Sequence, residues 1–317
     1  ASKGASSYAN EFLYFLNGTY YLDAYVEDIS TDPGRMPVLG GIKPVVWMAY
    51  PGHTPVISYV QGTSPGAYIM FYGSADDMYV DGFTVVGTSP KAYRSFHTDA
   101  VGNYQTFRRN RMSVIRSQAR SLNQSCFMTA SAQDGTFGSY LVLQNNICHD
   151  VDKGAGFKIY ATYKMLIEDN ELYDVRDTAG DFDIEGIALK YGVDRGTVRH
   201  NVIHDIAYKG IGGNMNSAAN YTRNMEILFN RVYNASGDAV EVNQNGTAGR
   251  IDIYRNTFVG RVQVENTDSS DGPFNFYNNV IINGDPGNHL YYSSVTAASR
   301  IVTTNNLSNA LNNLGIH

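Results

Sequence analysis

The stretches GTVRHNVIH (196–204) and MEILFNRVY (225–233) decide the fold. Each alternates apolar and polar residues, stops at an asparagine, and resumes with a second apolar pair. The pattern recurs as YQTFRRNRM (104–112), YLVLQNNIC (140–148), MLIEDNELY (165–173), IDIYRNTFV (251–259), FNFYNNVII (274–282) and IVTTNNLSN (301–309). The aligned residues are Asn110, Asn146, Asn170, Asn201, Asn230, Asn256, Asn279 and Asn306, at spacings of 36, 24, 31, 29, 26, 23 and 27. An earlier run, MYVDGFTVV (78–86), fits the register with Gly82 in the asparagine place. Runs this short with period two read as strands. Asparagine tolerates the left-handed conformation and bonds to neighbouring backbone, which suits a tight bend. A repeat near 28 residues therefore predicts a solenoid, one coil per repeat, with a ladder of side-chain amides along it. The expected class is all-β, a single-domain right-handed parallel β-helix. Residues 1–75 would supply an N-terminal cap and the first coils, and 76–317 the remaining coils.

A second strand follows each bend: GFKIY (156–160), GIALKY (186–191), GIGGNM (210–215), AVEVNQ (239–244) and VQVEN (262–266). Alternation turns Phe157, Ile159, Ile187, Leu189, Val240 and Val242 inward. It turns Lys158, Tyr160, Ala188, Lys190, Gly212, Asn214, Glu241, Asn243, Gln263 and Glu265 outward. That polar face, locally small at Ala188 and Gly212, reads as the floor of a groove.

The bulk numbers remove several function classes. With 43% hydrophobic residues and 17% charged, the 317-residue chain can build a core. No run reaches the length of a membrane span. A net charge of −6 argues against a dedicated nucleic-acid binder but leaves room for a local basic patch. The start at Ala1 without a leader fits either a mature secreted protein or a trimmed one. Cys126 and Cys148 are the two cysteines, readable as a pair or as two buried thiols. The 24 tyrosines suit both sugar contact and strands.

The strand at 18–22 with KPVVWMAYPGHTPVI (43–57), the MYVDGFTVV strand and the asparagine-terminated coils resemble the secreted β-helix superfamily of pectate lyases, alginate lyases and alginate epimerases. Within it, DFDIEGIALK (181–190) is similar to the active coil of polysaccharide lyase family 6, the alginate lyase and chondroitinase B group. The resemblance implies an extracellular or periplasmic lyase in which Asp183 and Glu185 bind Ca²⁺ and Lys190 takes the C5 proton. Two features depart from that pattern. The family's arginine on the next coil is Asn214 here, and its upstream metal-binding asparagine has no counterpart, although Asp150 and Asp152 lie in that neighbourhood.

β-Elimination of a uronate needs a neutralised carboxylate, a base for C5–H and a proton for the leaving oxygen. Lys190 and Lys158 are the candidate bases or carboxylate binders. Tyr160, Asn214, Asn243, Glu265, His97, Arg116 and Arg120 are candidate substrate contacts. Asp150, Asp152, Asp181, Asp183 and Glu185 offer the hard oxygens that suit Ca²⁺. Each group also has a plain structural reading, as surface lysines in ion pairs or a solvated acidic turn. Glu241 with Glu265 forms the alternative, a glycosidase pair on adjacent coils. A C5-epimerase and a non-catalytic carbohydrate-binding or adhesion module complete the readings. The arginines at 94, 108, 109, 111, 116 and 120 form a basic segment suited to an anionic polymer. His149, His200 and His204 flank bends and read as structural.

Overall fold

In a computed structural model, the structure describes residues 12–22, 45–59, 68–73, 77–87, 92–98, 103–114, 124–129, 138–152, 154–176, 184–190, 192–213, 222–244, 249–266, 273–282, 290–292 and 301–308. Their strands form three parallel sheets of eleven, eleven and nine strands. Each strand pairs with its equivalent in the preceding and following coils, so Phe107 aligns with Leu143 and then Ile167. This is the all-β parallel solenoid that the repeat predicts. The described parts of residues 12–73 already belong to coils: Phe12–Phe15 pairs with Val45–Ala49, Thr19–Leu22 with Val56–Tyr59, and Tyr68–Gly73 with Ala92–Thr98.

The asparagines form the expected ladder at the bend between the first and second sheets. Asn201 donates its main-chain N–H and a side-chain N–H to Asn230 Oδ1 at 3.0 and 2.9 Å. Its other side-chain N–H goes to the Ile167 carbonyl at 2.9 Å. The same three bonds repeat from Asn110 through Asn279. The backbone corrects one detail of the sequence reading. The left-handed residue is the one before each asparagine, namely Arg109, Asn145, Asp169, His200, Phe229, Arg255, Asn278 and Asn305, with φ between 52° and 57°. The asparagine's own role is to satisfy buried backbone groups, which cost free energy if left unpaired. In the first such coil Gly82, φ 84°, therefore occupies the left-handed place and Phe83 the asparagine place, where its N–H donates to Asn110 Oδ1.

The interior is one continuous apolar column, with Phe96, Phe127, Phe157, Ile187, Ile211, Val240 and Val262 stacked in register along the third sheet. Cys126 and Cys148 form a disulfide inside this column. Next to the phenylalanine line runs a line of small residues. A Cβ built on Gly156 would meet Gly186 O at 2.7 Å and Leu172 at 2.8 Å, and one on Gly186 would meet Gly210 O and Ile203 at 2.6 Å. Gly156 and Phe157, and likewise Gly186 and Ile187, thus both face the core. Two successive inward residues break the alternation near the start of these strands, while the register between strands runs on unshifted. They also flip the residue before them to the exterior.

Candidate functional site

That flip builds the site. Strict alternation from Ile187 would send Glu185 inward. With Gly186 facing the core, the Glu185 carboxylate instead lies over the outer face of the third sheet, where a Cβ on Gly212 would come within 2.3 Å of its Oε1. Ala188 and Gly212 are register partners. The small patch read from the sequence as groove floor is where the Glu185 carboxylate rests.

Around it the exterior face of four adjacent strands carries charge in alternation. Lys190 Nζ stands 3.1 Å from Glu185 Oε2, both on the strand Glu185–Lys190. Lys209, the register partner of Glu185 on the next strand, reaches Glu241 Oε2 at 2.7 Å. Lys158 is the register partner of Ala188 on the preceding strand, and its Nζ lies 5.7 Å from the centre of the Tyr160 ring. Tyr160 is in turn the partner of Lys190. One strand beyond Glu241, Arg261 grips the fully buried Asp238 through two hydrogen bonds. The sequence reading missed Lys209, Asp238 and Arg261. Lys209 opens the strand with the glycine run, and its alignment with Glu185 was the available signal.

These groups are buried, not lying on an open floor. Lys158, Lys190, Glu185, Tyr160, Lys209 and Glu241 are all under 9% exposed. Charges removed from water this far persist only when paired. Burial alone would lower the pKa of the Lys209 ammonium. The hydrogen bond from it to Glu241, and the charges of Glu241 and Glu185, outweigh that and hold it above the ordinary lysine value.

The other expected site residues divide. Asp150 and Asp152 share Arg176, at 2.6 and 3.2 Å. His149 also pairs with Asp150 at 2.7 Å. Burial pushes the Asp150 carboxyl up, but the bonds from His149, Asp174 and the Arg176 charge bring it below its usual value. Among the described residues no group of three or more histidines, cysteines or acids is placed to hold a metal ion. The described members of the expected Ca²⁺ set, Asp150, Asp152 and Glu185, face cationic side chains and do not fit one metal. Asp181 and Asp183 lie outside the described residues, as do Asn214, Arg116 and Arg120. His97, Asn243 and Glu265 lie on described strands, aligned with Met128, Glu265 and Asn243 respectively, but their side chains are outside the description. Arg109 is held by buried Asp81 from the preceding coil, Arg108 Nε stands 4.0 Å from the same carboxylate, and Arg111 meets Tyr173 Oη at 3.2 Å. Those three are therefore exterior structural charges away from the third sheet.

No protein-family model matches the sequence, and no curated protein matches it. Solved structures do. A rhamnogalacturonan lyase matches 98% of this chain and 82% of its own length, at 15% identity and a TM-score of 0.61. The A-module of the Azotobacter vinelandii mannuronan C-5 epimerase AlgE4 matches 94% and 86%, at 13% and 0.57. The pectate lyase Pel9A matches 98% and 74%, at 14% and 0.53. The chain shares their right-handed parallel β-helix fold. The chain also spans 53% of the length of the Dettilon tailspike protein, at a TM-score of 0.49. At these identities the likeness shows the β-helix fold alone. Among the described residues no helix is long and apolar enough to cross a membrane.

Proposed function

We propose that the chain is a polysaccharide lyase that cleaves an acidic, uronate-containing polymer by β-elimination on the outer face of the third sheet. The observation that carries this reading is the gathering of three lysines and a tyrosine, Lys158, Lys190, Lys209 and Tyr160, around one small-floored patch. The β-helices it resembles include two lyases and an epimerase of acidic polysaccharides, which supports the choice of chemistry.

In this reading the uronate carboxylate docks against Lys158 and Lys209, whose charges stabilise the enolate that forms as C5–H is lost. Lys190, in its uncharged form, takes the C5 proton and becomes an ammonium beside Glu185. The C5–H electron pair forms the C4=C5 double bond, the C4–O bond breaks, and Tyr160 gives its phenolic proton to the leaving oxygen. The proton on Lys190 then returns to the Tyr160 phenolate through solvent, and both groups are restored. Glu185 orients the Lys190 amine, and Glu241 orients Lys209. Asn243, on the strand of Glu241, Glu265, on the next strand, and His97, two strands before that of Lys158, belong to the same sheet and are assigned contacts with neighbouring sugars. Asn214, Arg116 and Arg120 are assigned the same role by position in the sequence alone. A Ca²⁺ ion would have to draw on Asp181 and Asp183, and no step here passes through it. The disulfide between Cys126 and Cys148 supports an oxidising location, extracellular or periplasmic.

The test is incubation with alginate, pectate and glycosaminoglycans, with and without Ca²⁺, while following the ultraviolet absorbance of unsaturated uronates. Absence of that signal on every uronic polymer overturns the proposal. Reducing ends without absorbance would point to a hydrolase using Glu241. Solvent deuterium entering C5 without cleavage would point to an epimerase, which shares the first proton transfer. Binding without any product would leave a carbohydrate-binding or adhesion module.

A further inference from the structure

A second feature lies on the first sheet, at the bend where each coil enters it. One residue per coil there is held in the left-handed conformation: Tyr104, Tyr140, Lys164, Arg195 and Asn224, with φ from 53° to 61°. They are stacked in register, because Asn103 aligns with Ser139, Ser139 with Tyr163, and Tyr163 with Asp194. Bulky side chains rarely adopt this backbone conformation, whereas asparagine and aspartate do so readily. The bend after the second sheet follows the ordinary choice, with Asp150, Asp174, Asp205 and Asn234. Two tyrosines, a lysine and an arginine in four successive coils depart from it. Arg109, His200, Phe229 and Arg255 depart likewise at the asparagine bend, so backbone strain alone does not single out Tyr104, Tyr140, Lys164 and Arg195.

Their contacts show what they present to solvent. The rings of Tyr104 and Tyr140 are stacked at 4.5 Å with 7° between planes, and the two residues are 55% and 37% exposed. Lys164 donates to Tyr140 Oη at 2.8 Å and lies over the Tyr140 and Tyr163 rings, and the Arg195 guanidinium lies 5.3 Å from the centre of the Tyr163 ring. Among the described residues no carboxylate stands within ion-pair distance of Lys164 or Arg195. Many other exterior cations are matched: Arg109 with Asp81, Arg176 with Asp150, Arg199 with Glu168, Arg223 with Asp194 and Arg250 with Asp252, whereas Arg111, Arg231 and Arg255 lie singly against Tyr173, Tyr233 and Phe229. The stripe is thus an exposed aromatic surface with two uncompensated positive charges, repeating at the inter-strand spacing of about 4.8 Å.

We propose that Tyr104, Tyr140, Lys164 and Arg195 form a secondary binding stripe for an acidic polysaccharide, on a different sheet from the reacting face. Tyrosine rings pack against the apolar faces of sugar rings, and the two cations take their carboxylates. The ligand class rests on the lyase reading, and the stripe would hold the polymer while the third sheet works on it.

Affinity electrophoresis through gels containing alginate or polygalacturonate, with a neutral dextran gel as reference, tests this. The wild-type chain should be retarded in a uronic gel, and the retardation should fall as salt is raised. The double variant Tyr104→Gly/Tyr140→Gly suits the left-handed backbone and so keeps the bend. It should lose at least half of the retardation with an unchanged circular-dichroism spectrum, as should Lys164→Ala/Arg195→Ala. Cleavage of short oligouronates by either variant should match the wild type. Unchanged retardation in both double variants overturns the stripe, and so does equal retardation in dextran. Failure of the lyase reading shows differently, as missing product with the stripe-dependent retardation intact.

Discussion

Replacing Asn201 by alanine should nearly unfold the middle of the solenoid. Asn201 is 1% exposed and sits between Asn170 and Asn230. Its Oδ1 accepts the Asn170 main-chain N–H at 3.0 Å and an Asn170 side-chain N–H at 2.9 Å, and its amide donates to the Ile167 carbonyl. Alanine keeps the main-chain bond to Asn230 and orphans those three buried groups. Each buried group left without a partner costs about 1–3 kcal/mol, so the sum is about 3–6 kcal/mol after local relaxation. That is comparable with the whole stability of an ordinary domain, about 5–15 kcal/mol. Asn306, at the C-terminal end of the described ladder, makes equivalent bonds but is only partly buried. Water can replace its bonds there, and Asn306→Ala should cost no more than about 1 kcal/mol. Urea denaturation followed by circular dichroism measures both. The reasoning is refuted if Asn201→Ala melts with the wild type, or if Asn306→Ala costs as much as Asn201→Ala.

Cys126→Ser/Cys148→Ser opens a loop of 22 residues, and loop entropy predicts a loss of about 3 kcal/mol, readable in the urea midpoint and mimicked by reductant. Gly212→Ala drives a methyl into the Glu185 carboxylate, so it should abolish turnover while changing the thermal midpoint by only a few degrees; full activity would show that Glu185 can leave the patch at no cost. The Lys209–Glu241 pair gives a pH signature. The folded pKa of Lys209 is raised, so the pair's contribution is fully present below the ordinary lysine value of about 10.4 and is lost as pH rises through the folded value. Glu241→Gln should therefore destabilise the protein at neutral pH, with the gap to wild type closing in strongly alkaline solution; a gap that is constant with pH refutes the assignment.

The sequence revealed the coils because the solenoid imposes two strict demands on it. Period-two alternation must bury one face of every strand, and the bend must satisfy buried backbone groups, which asparagine does. The outward phase of Lys158, Lys190 and Glu241 followed from the first demand, since a one-residue slip would have turned them into the core. The break in alternation was hidden, because Gly186 and Gly210 look permissive in a sequence and only register shows that their missing side chains are required by the Gly210 and Ala239 carbonyls. Without that break in alternation, Glu185 could be placed by motif likeness alone, as a metal ligand, and an ion pair for Lys190 stood as the plain alternative to its role as base. Lys209 escaped notice for the same reason: its link to Glu185 and Glu241 crosses strands, and strand pairing sets it.

Production of unsaturated uronate by wild type and Lys190→Ala, assayed side by side on the same panel of uronic polymers, tests the central claim. Alanine removes the amine and leaves the Glu185 carboxylate without its cation, so Lys190→Arg is assayed with it to restore the charge without a usable base. Absorbance is expected from the wild type alone, with both variants down at least a thousandfold and still folded. Wild-type rates in Lys190→Arg, or no absorbance from the wild type on any uronic polymer, would contradict the claim.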